Sequence, residues 1–269
     1  MGPPNTTLLK QIHLNSADGQ AFNDTSDVYF SFQQPLWNCS PNTEVYISLL
    51  NISIPYGFPN VTLYNNLFSY QLPGQWYSGT ITIPVGQYNI CDLLNFLNTN
   101  AVLIADGFTF SYSQITKMLK ITNTLTDFTI LKNPSTIDLG LTELSSTGNV
   151  LQATKVINLI FTQNIYADFG ELNTANMLSL SKRQSSVLAR VPICGEFGSV
   201  LTWTNINGYY SKLSATNCAM FHVRLIDDKG RLLQLNGLNW SCTVEISFIE
   251  KVGQRWALND STPRFSWEI

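Results

Sequence analysis

Polar and apolar residues alternate without a fault over the stretch "NWSCTVEISFIE". Trp240, Cys242, Val244, Ile246 and Phe248 fall on one side, and Ser241, Thr243, Glu245 and Ser247 on the other. A period of two over this length predicts a β-strand with one face buried and one face wet. The preceding "CAMFHVRLID" alternates in the same way and breaks at Asp227-Asp228-Lys229-Gly230. That break predicts a hairpin turn with glycine at the position needing positive φ, so that the chain closes on an antiparallel unit. Near the other end, "DVYFSFQQPL" turns Val28, Phe30 and Phe32 inward and ends near Pro35. "TEVYISLLNISIP" places apolar residues on both parities, Val45, Ile47 and Leu49 against Leu50, Ile52 and Ile54. It predicts a long strand buried on both faces until Pro55 stops it.

Between these strands the pattern changes twice. Residues 56–78 dissolve into Gly, Pro, Asn and aromatic residues and predict a long connection. "GTITIPVGQYNICDLLNFLNTNAV" then holds a short strand, a turn at Val85-Gly86 and a helix, with Ile90, Leu93, Leu94 and Leu97 at i, i+3, i+4 and i+7 and Asn89 as its N-cap. "FTFSYSQITKMLKIT" reads as a hairpin and "DFTIL" as a strand; 145–149 reads as the seam where this unit ends. Strands without intervening helices follow, in "KVINLIFTQNIYADFG", "SSVLARVPICG", "VLTWTNI" and the two closing segments. The expected fold is all-β, an antiparallel jelly-roll β-sandwich built from residues 21–78 and 151–252, with a small inserted α+β subdomain at 79–150. Residues 1–20, opening Gly-Pro-Pro with weak periodicity, are expected to form an N-terminal arm. Residues 253–269 form a C-terminal tail whose Trp256, Phe265 and Trp267 are costly to leave in water. They either pack on their own domain or dock on a neighbouring subunit.

Composition narrows the function. Only 12% of residues are charged, about half the usual share, and the polar surface is supplied by Ser, Thr, Gln and 26 Asn. A neutral polar surface desolvates cheaply against another of its kind, which favours life in an assembly; an extracellular β-domain is the other reading. The net charge of −3 and the isolated Lys182-Arg183 pair argue against wide contact with nucleic acid, which needs clustered positive charge. Five cysteines, at 39, 91, 194, 218 and 242, contain no CxxC pair and no metal-site spacing. The first twenty residues show no leader-like apolar run, and no stretch approaches the ~20 apolar residues of a membrane span. The chain reads as intracellular and reduced, with its N-x-[ST] sequons a by-product of Asn abundance.

Reactive groups are scarce. His13 lies in the expected arm and His222 in mid-strand beside Met220 and Arg224, with no nucleophile elbow or Walker-type loop anywhere. Asp227 and Asp228 suit a tight turn, Asp24 and Asp27 flank a strand as loop caps, and Glu245 stands on a wet face without a second acid in local register. Gly195 and Gly198 in "CGEFGS" relieve a bend. No catalytic, cofactor-binding or metal residue is expected, and the chain is read as a non-enzyme. A carboxylate glycosidase would require two acids ~5 to 9.5 Å apart in a cleft. Trp76-Tyr77 and Tyr209-Tyr210, if exposed, would suit stacking on sugars, so a glycan- or receptor-binding β-sandwich module is the alternative function.

Two blocks carry a family resemblance. "IHLNSADGQAFNDTSDVYFSFQQPL" with "TEVYISLLNISIPYGF" resembles the opening of penton-type minor capsid proteins of virophages, polinton-like viruses and related large DNA viruses of eukaryotes. "SSVLARVPICGEFGSVLTWTN", followed by "YYSKLSATNCAMFHVRLIDDKGRLLQLNGLNWSCTVEISF", is similar to that family's order of strand, Gly-bearing loop, "L-N-G" and final strand. The resemblance implies a vertical single jelly roll without catalytic residues or cofactors. Five copies would form a homopentamer at the fivefold vertex of an icosahedral capsid. The implied partners are double-jelly-roll major capsid proteins and other minor capsid or vertex proteins, and the implied location is the virion, after synthesis inside the host cell.

Overall fold

A computed structural model describes residues 8–40, 42–74, 78–133, 136–170, 172, 176–178, 183–215 and 217–250. The tail at 253–269 and the Trp76-Tyr77 pair lie outside the described residues. Eight strands, numbered here in chain order, build the sandwich. β1 is Leu8–Asn15, β2 Asp27–Ser31 and β3 Thr43–Pro55. After a long excursion come β4 Asn164–Phe169, β5 Val187–Pro192, β6 Val200–Thr204, β7 Met220–Ile226 and β8 Ser241–Glu250.

One sheet has the order β1-β8-β3-β6, with Ser211–Leu213 paired farther along β3. The other has the order β5-β4-β7-β2, with Gln20–Ala21 beyond β2. All neighbours are antiparallel. Strands from the two halves of the chain interleave in both sheets, which is the double Greek-key wiring of a jelly roll. Val28, Ile47, Ile52, Ile165, Val223 and Val244 meet between the sheets, all fully buried. At about 1.5–3 kcal/mol per buried aliphatic side chain, this layer is the main source of the sandwich's stability.

The first twenty residues are not all arm. β1 pairs with β8 along its whole length, Leu8 opposite Phe248 through Asn15 opposite Ser241, and buries Ile12 and Leu14. Its periodicity is weak because only two of its eight residues are buried. The closing antiparallel unit is also wired differently from the expectation. The turn forms, with Gly230 at φ +76 and Asp227 N–H donating to the Arg231 carbonyl at 2.8 Å. It closes only a short return bridged at Ile226 and Leu232; β7 and β8 lie in opposite sheets.

The double-sided apolar pattern of β3 has a local cause. Its register against β8 runs from Val244 opposite Leu49 to Thr243 opposite Asn51, leaving Leu50 as an extra residue. This β-bulge switches the core-facing parity from Val45, Ile47 and Leu49 to Ile52 and Ile54. One face is therefore apolar throughout, in two phases.

The excursion has its own core and is larger than residues 79–150. Val61, Phe68, Tyr70 and Leu72, in the stretch expected to be a connection, pack with Leu93, Leu97, Phe108, Ile121 and Ala153. Leu67–Gln71 is a strand paired with Ser78–Thr82, and Phe108–Tyr112 pairs with Leu119–Asn123 as the expected hairpin. Helix α1, Ile90–Thr99, starts at Asn89, whose side chain accepts from Asp92 N–H while Asp92 answers the Asn89 N–H in a capping box. The Gly148 turn leads into Val150–Gln152, which pairs with Leu119–Asn123, so the 145–149 seam lies inside the unit.

The register gives the sandwich two unlike ends. Thr43 of β3 lies opposite Glu250 and Ser53 opposite Ser241. The excursion therefore leaves from the end opposite the one where β1 begins and β8 finishes.

Candidate functional site

The reactive side chains fall into separate groups. On the outer face of the second sheet, His222 of β7 contacts the Asp27 carboxylate of β2 through Nε2 at 2.6 Å, and Tyr29 stacks on its ring at 3.9 Å. Asp27 thus sits inside β2 as the partner of a histidine rather than as a loop cap. One step along, Arg224 donates to Asp168 of β4 at 2.5 Å, and the Ser186 hydroxyl donates to the same carboxylate. His222 and Asp27 are both mostly covered, and Arg224 Nε is buried without a hydrogen-bond partner among the described residues.

On the outer face of the first sheet, the row expected to be wet is covered. Thr243, Glu245 and Ser247 are all buried. Tyr210 donates its hydroxyl to Glu245, Gln11 of β1 donates its side-chain amide to the same carboxylate at 2.9 Å, and Asn205 donates to the Ser48 hydroxyl at 2.8 Å. Burial, the Glu245 hydrogen bond and the Glu245 charge push the Tyr210 hydroxyl up to about 12. Tyr210 is accordingly a structural partner, while Tyr209 stays 69% exposed, so the pair does not present two stacking faces. His13 meets Thr243 Oγ1 through Nδ1 at 3.0 Å.

The remaining acids organise backbone. Asp24 accepts from the N–H groups of Thr25, Leu235, Asn236 and Gly237. Asp228 accepts from Thr162 Oγ1, Gln163 N–H, the Asn164 side chain and Tyr166. Burial pushes the Asp228 carboxyl up, but the bonds from Asn164, Gln163 and Thr162 outweigh it and hold it below its ordinary value. Gly198, at φ +89, serves its bend as expected. The cysteines are free thiols, Cys218 and Cys242 in the core; burial drives Cys242 up to about 12. Among the described residues no group of three or more His, Cys, Asp or Glu could hold a metal ion. No described helix is long and apolar enough to cross a membrane.

Two of the concavities lie at opposite ends of the sandwich. Where the excursion joins the sandwich, Arg231 is held between the rings of Tyr64 and Phe161, 4.6 and 4.5 Å from their centroids. Beside this clamp lies a pocket of about 210 Å³ walled by Phe58, Leu63, Tyr64, Phe161, Leu232 and Leu233. At the opposite end a wider groove of about 590 Å³ opens between the edge of the first sheet and residues 36–40, lined by Leu8, Lys10, Leu36, Trp37, Cys39 and Phe248 among others. Sequence reasoning missed both, because each wall is assembled from segments far apart in the chain.

No family model matches the chain. No curated protein matches it. Among solved structures it is similar to the mavirus penton protein, at 12% identity over 90% of this chain and 100% of that chain, with a TM-score of 0.47.

Proposed function

We propose that this protein is a structural capsid component, a penton that closes the fivefold vertex of an icosahedral virion as a homopentamer. The observation that carries the reading is the agreement between sequence resemblance and wiring. The two blocks similar to penton-type minor capsid proteins, about residues 12–58 and 185–248, supply seven of the eight strands of one jelly roll, and only β4 lies outside them. The sandwich offers what a ring subunit needs: a stiff wedge with two different outer faces, one rich in hydroxyls and amides around Glu245 and the Glu44–Lys212 pair, the other carrying the His222–Asp27 and Arg224–Asp168 pairs. A closed ring uses two such unlike patches on each subunit.

In this reading the excursion from 61 to about 159 rises from one end of the wedge, and the chain ends leave from the other. Double-jelly-roll major capsid proteins are the lateral partners, other minor capsid or vertex proteins are further contacts, and no nucleic acid is bound directly. The reading makes the protein a non-enzyme located in the virion. Purified protein is expected to give pentamers by native mass spectrometry, in rising proportion with concentration. Monomers alone at every concentration would overturn the assignment; specific hits on a glycan array from a protein that stays monomeric would favour the sugar-binding module instead.

A further inference from the structure

The sandwich carries a groove at the end where β1 begins and β8 finishes. On β1, Ile12 and Leu14 face the core and are 9% and 4% exposed, and Leu8 shares their parity. Leu8 also stands opposite Phe248, which is 8% exposed, yet Leu8 itself is 61% exposed. Leu8 lines one groove with Leu36, Trp37 and Phe248, so its exposed side chain belongs to a contiguous apolar surface of the kind a partner completes. This groove of about 590 Å³ has a floor of Leu36, Trp37 and Phe248 and a rim of Asn38, Ser40 and Thr43. That combination suits an extended chain: apolar floor for side chains, amides and hydroxyls for its backbone. β1 is also the outermost strand of its sheet among the described residues, and an outer strand offers unpaired backbone groups to an incoming segment.

We propose that this groove receives residues 251–269 of a neighbouring copy, so that each subunit's tail completes the next subunit's sandwich. The proposal rests on the assembly reading above. Glu250 lines the groove, so the segment sets out from its own groove. Its first ring, Trp256, comes six residues later, a separation of up to about 20 Å of chain. The nineteen residues from 251 to 269 reach up to about 60 Å, whereas a compact chain of this length has a radius of gyration of about 18 Å. Phe265 and Trp267, near the far end, are therefore within reach of an adjacent copy, and a head-to-tail ring gives every copy one groove to offer and one tail to donate.

Cys39, in the groove wall, provides the test. In full-length protein with the exposed Cys91 and Cys194 replaced by serine, one population keeps Cys39 and a second carries C39S together with Ser266→Cys. The two are mixed under assembly conditions and oxidised at pH 9. A covalent heterodimer on a non-reducing gel, absent when either population is oxidised alone, is the expected result, since only a tail in another subunit's groove can form it. A third protein carrying Cys39 and Ser266→Cys in one chain controls for the reverse case. If it yields only internally linked monomer, the tail docks on its own subunit and the proposal falls. Absence of any cross-link also overturns it. Native mass spectrometry of the unaltered chain separates these failures from failure of the assembly reading: pentamers without cross-links sink the tail exchange alone, and monomers sink both.

Discussion

The carboxylate of Asp228 accepts hydrogen bonds from a hydroxyl, a side-chain amide, a phenol and backbone N–H groups of residues 162–166, the segment by which the excursion rejoins the sandwich. Sequence reasoning identified Asp228 only as a turn former; its partners lie more than sixty residues earlier and leave no local signature. Replacing it by alanine strands several part-buried donors, at a total cost on the order of 1–3 kcal/mol. Asp228→Ala is expected to lower the urea midpoint clearly at pH 7. The pH dependence has a definite sign. The folded carboxyl titrates below its ordinary value of 3.8, so its contribution is fully present above that value and is lost as the pH falls through the depressed folded value. Thermal melts of the parent protein should therefore decline below about pH 4, and Asp228→Asn should flatten that decline. An unchanged slope in the variant would show that other carboxylates govern acid sensitivity.

β3 shows what alternation reveals and what it hides. The mixed parity of "TEVYISLLNISIP" was legible as an exceptional strand, but a pattern of side chains cannot separate burial on two faces from a phase change on one. Pairing decides, and Leu50 is the residue β8 skips. Deleting Leu50 removes the bulge and sets Ile52 two places after Leu49, so all the core-facing residues share one parity and cooperative unfolding by circular dichroism is expected to persist. An alanine inserted after Leu50 instead turns Ile52 and Ile54 outward, since a shift of one residue exchanges the faces of a strand, and loss of cooperative unfolding is expected. Leu50→Ala keeps the count and should cost far less. The helix was legible in full, cap included, because Asn89, Asp92 and the leucine spacing act within a few residues of one another. Asn89→Ala should cost about 1 kcal/mol. The strand Leu67–Gln71 was not legible: Phe68, Ser69 and Tyr70 are consecutive buried residues in a Gly- and Pro-rich setting, without alternation. Nor was the cover over Glu245, which comes from Tyr210, 35 residues away.

The described residues are polar in their layout, with a separately cored excursion at one end and Leu8 and Glu250 at the other. Two cores joined through the Arg231 clamp and the Asp228 bonds predict that the sandwich survives alone. Replacing residues 61–157 by a short Gly/Ser linker should leave a soluble protein that melts cooperatively; loss of a cooperative melt would show the two cores to be one folding unit. The charge-poor outer faces, the covered reactive groups and the open groove all direct attention to what the molecule packs against. Electron microscopy of the purified assembly tests this most directly. The account predicts class averages with fivefold rotational symmetry, five copies of a 30.1 kDa chain with their excursions on one side of the ring. Particles of any other symmetry, or isolated single chains, would contradict it.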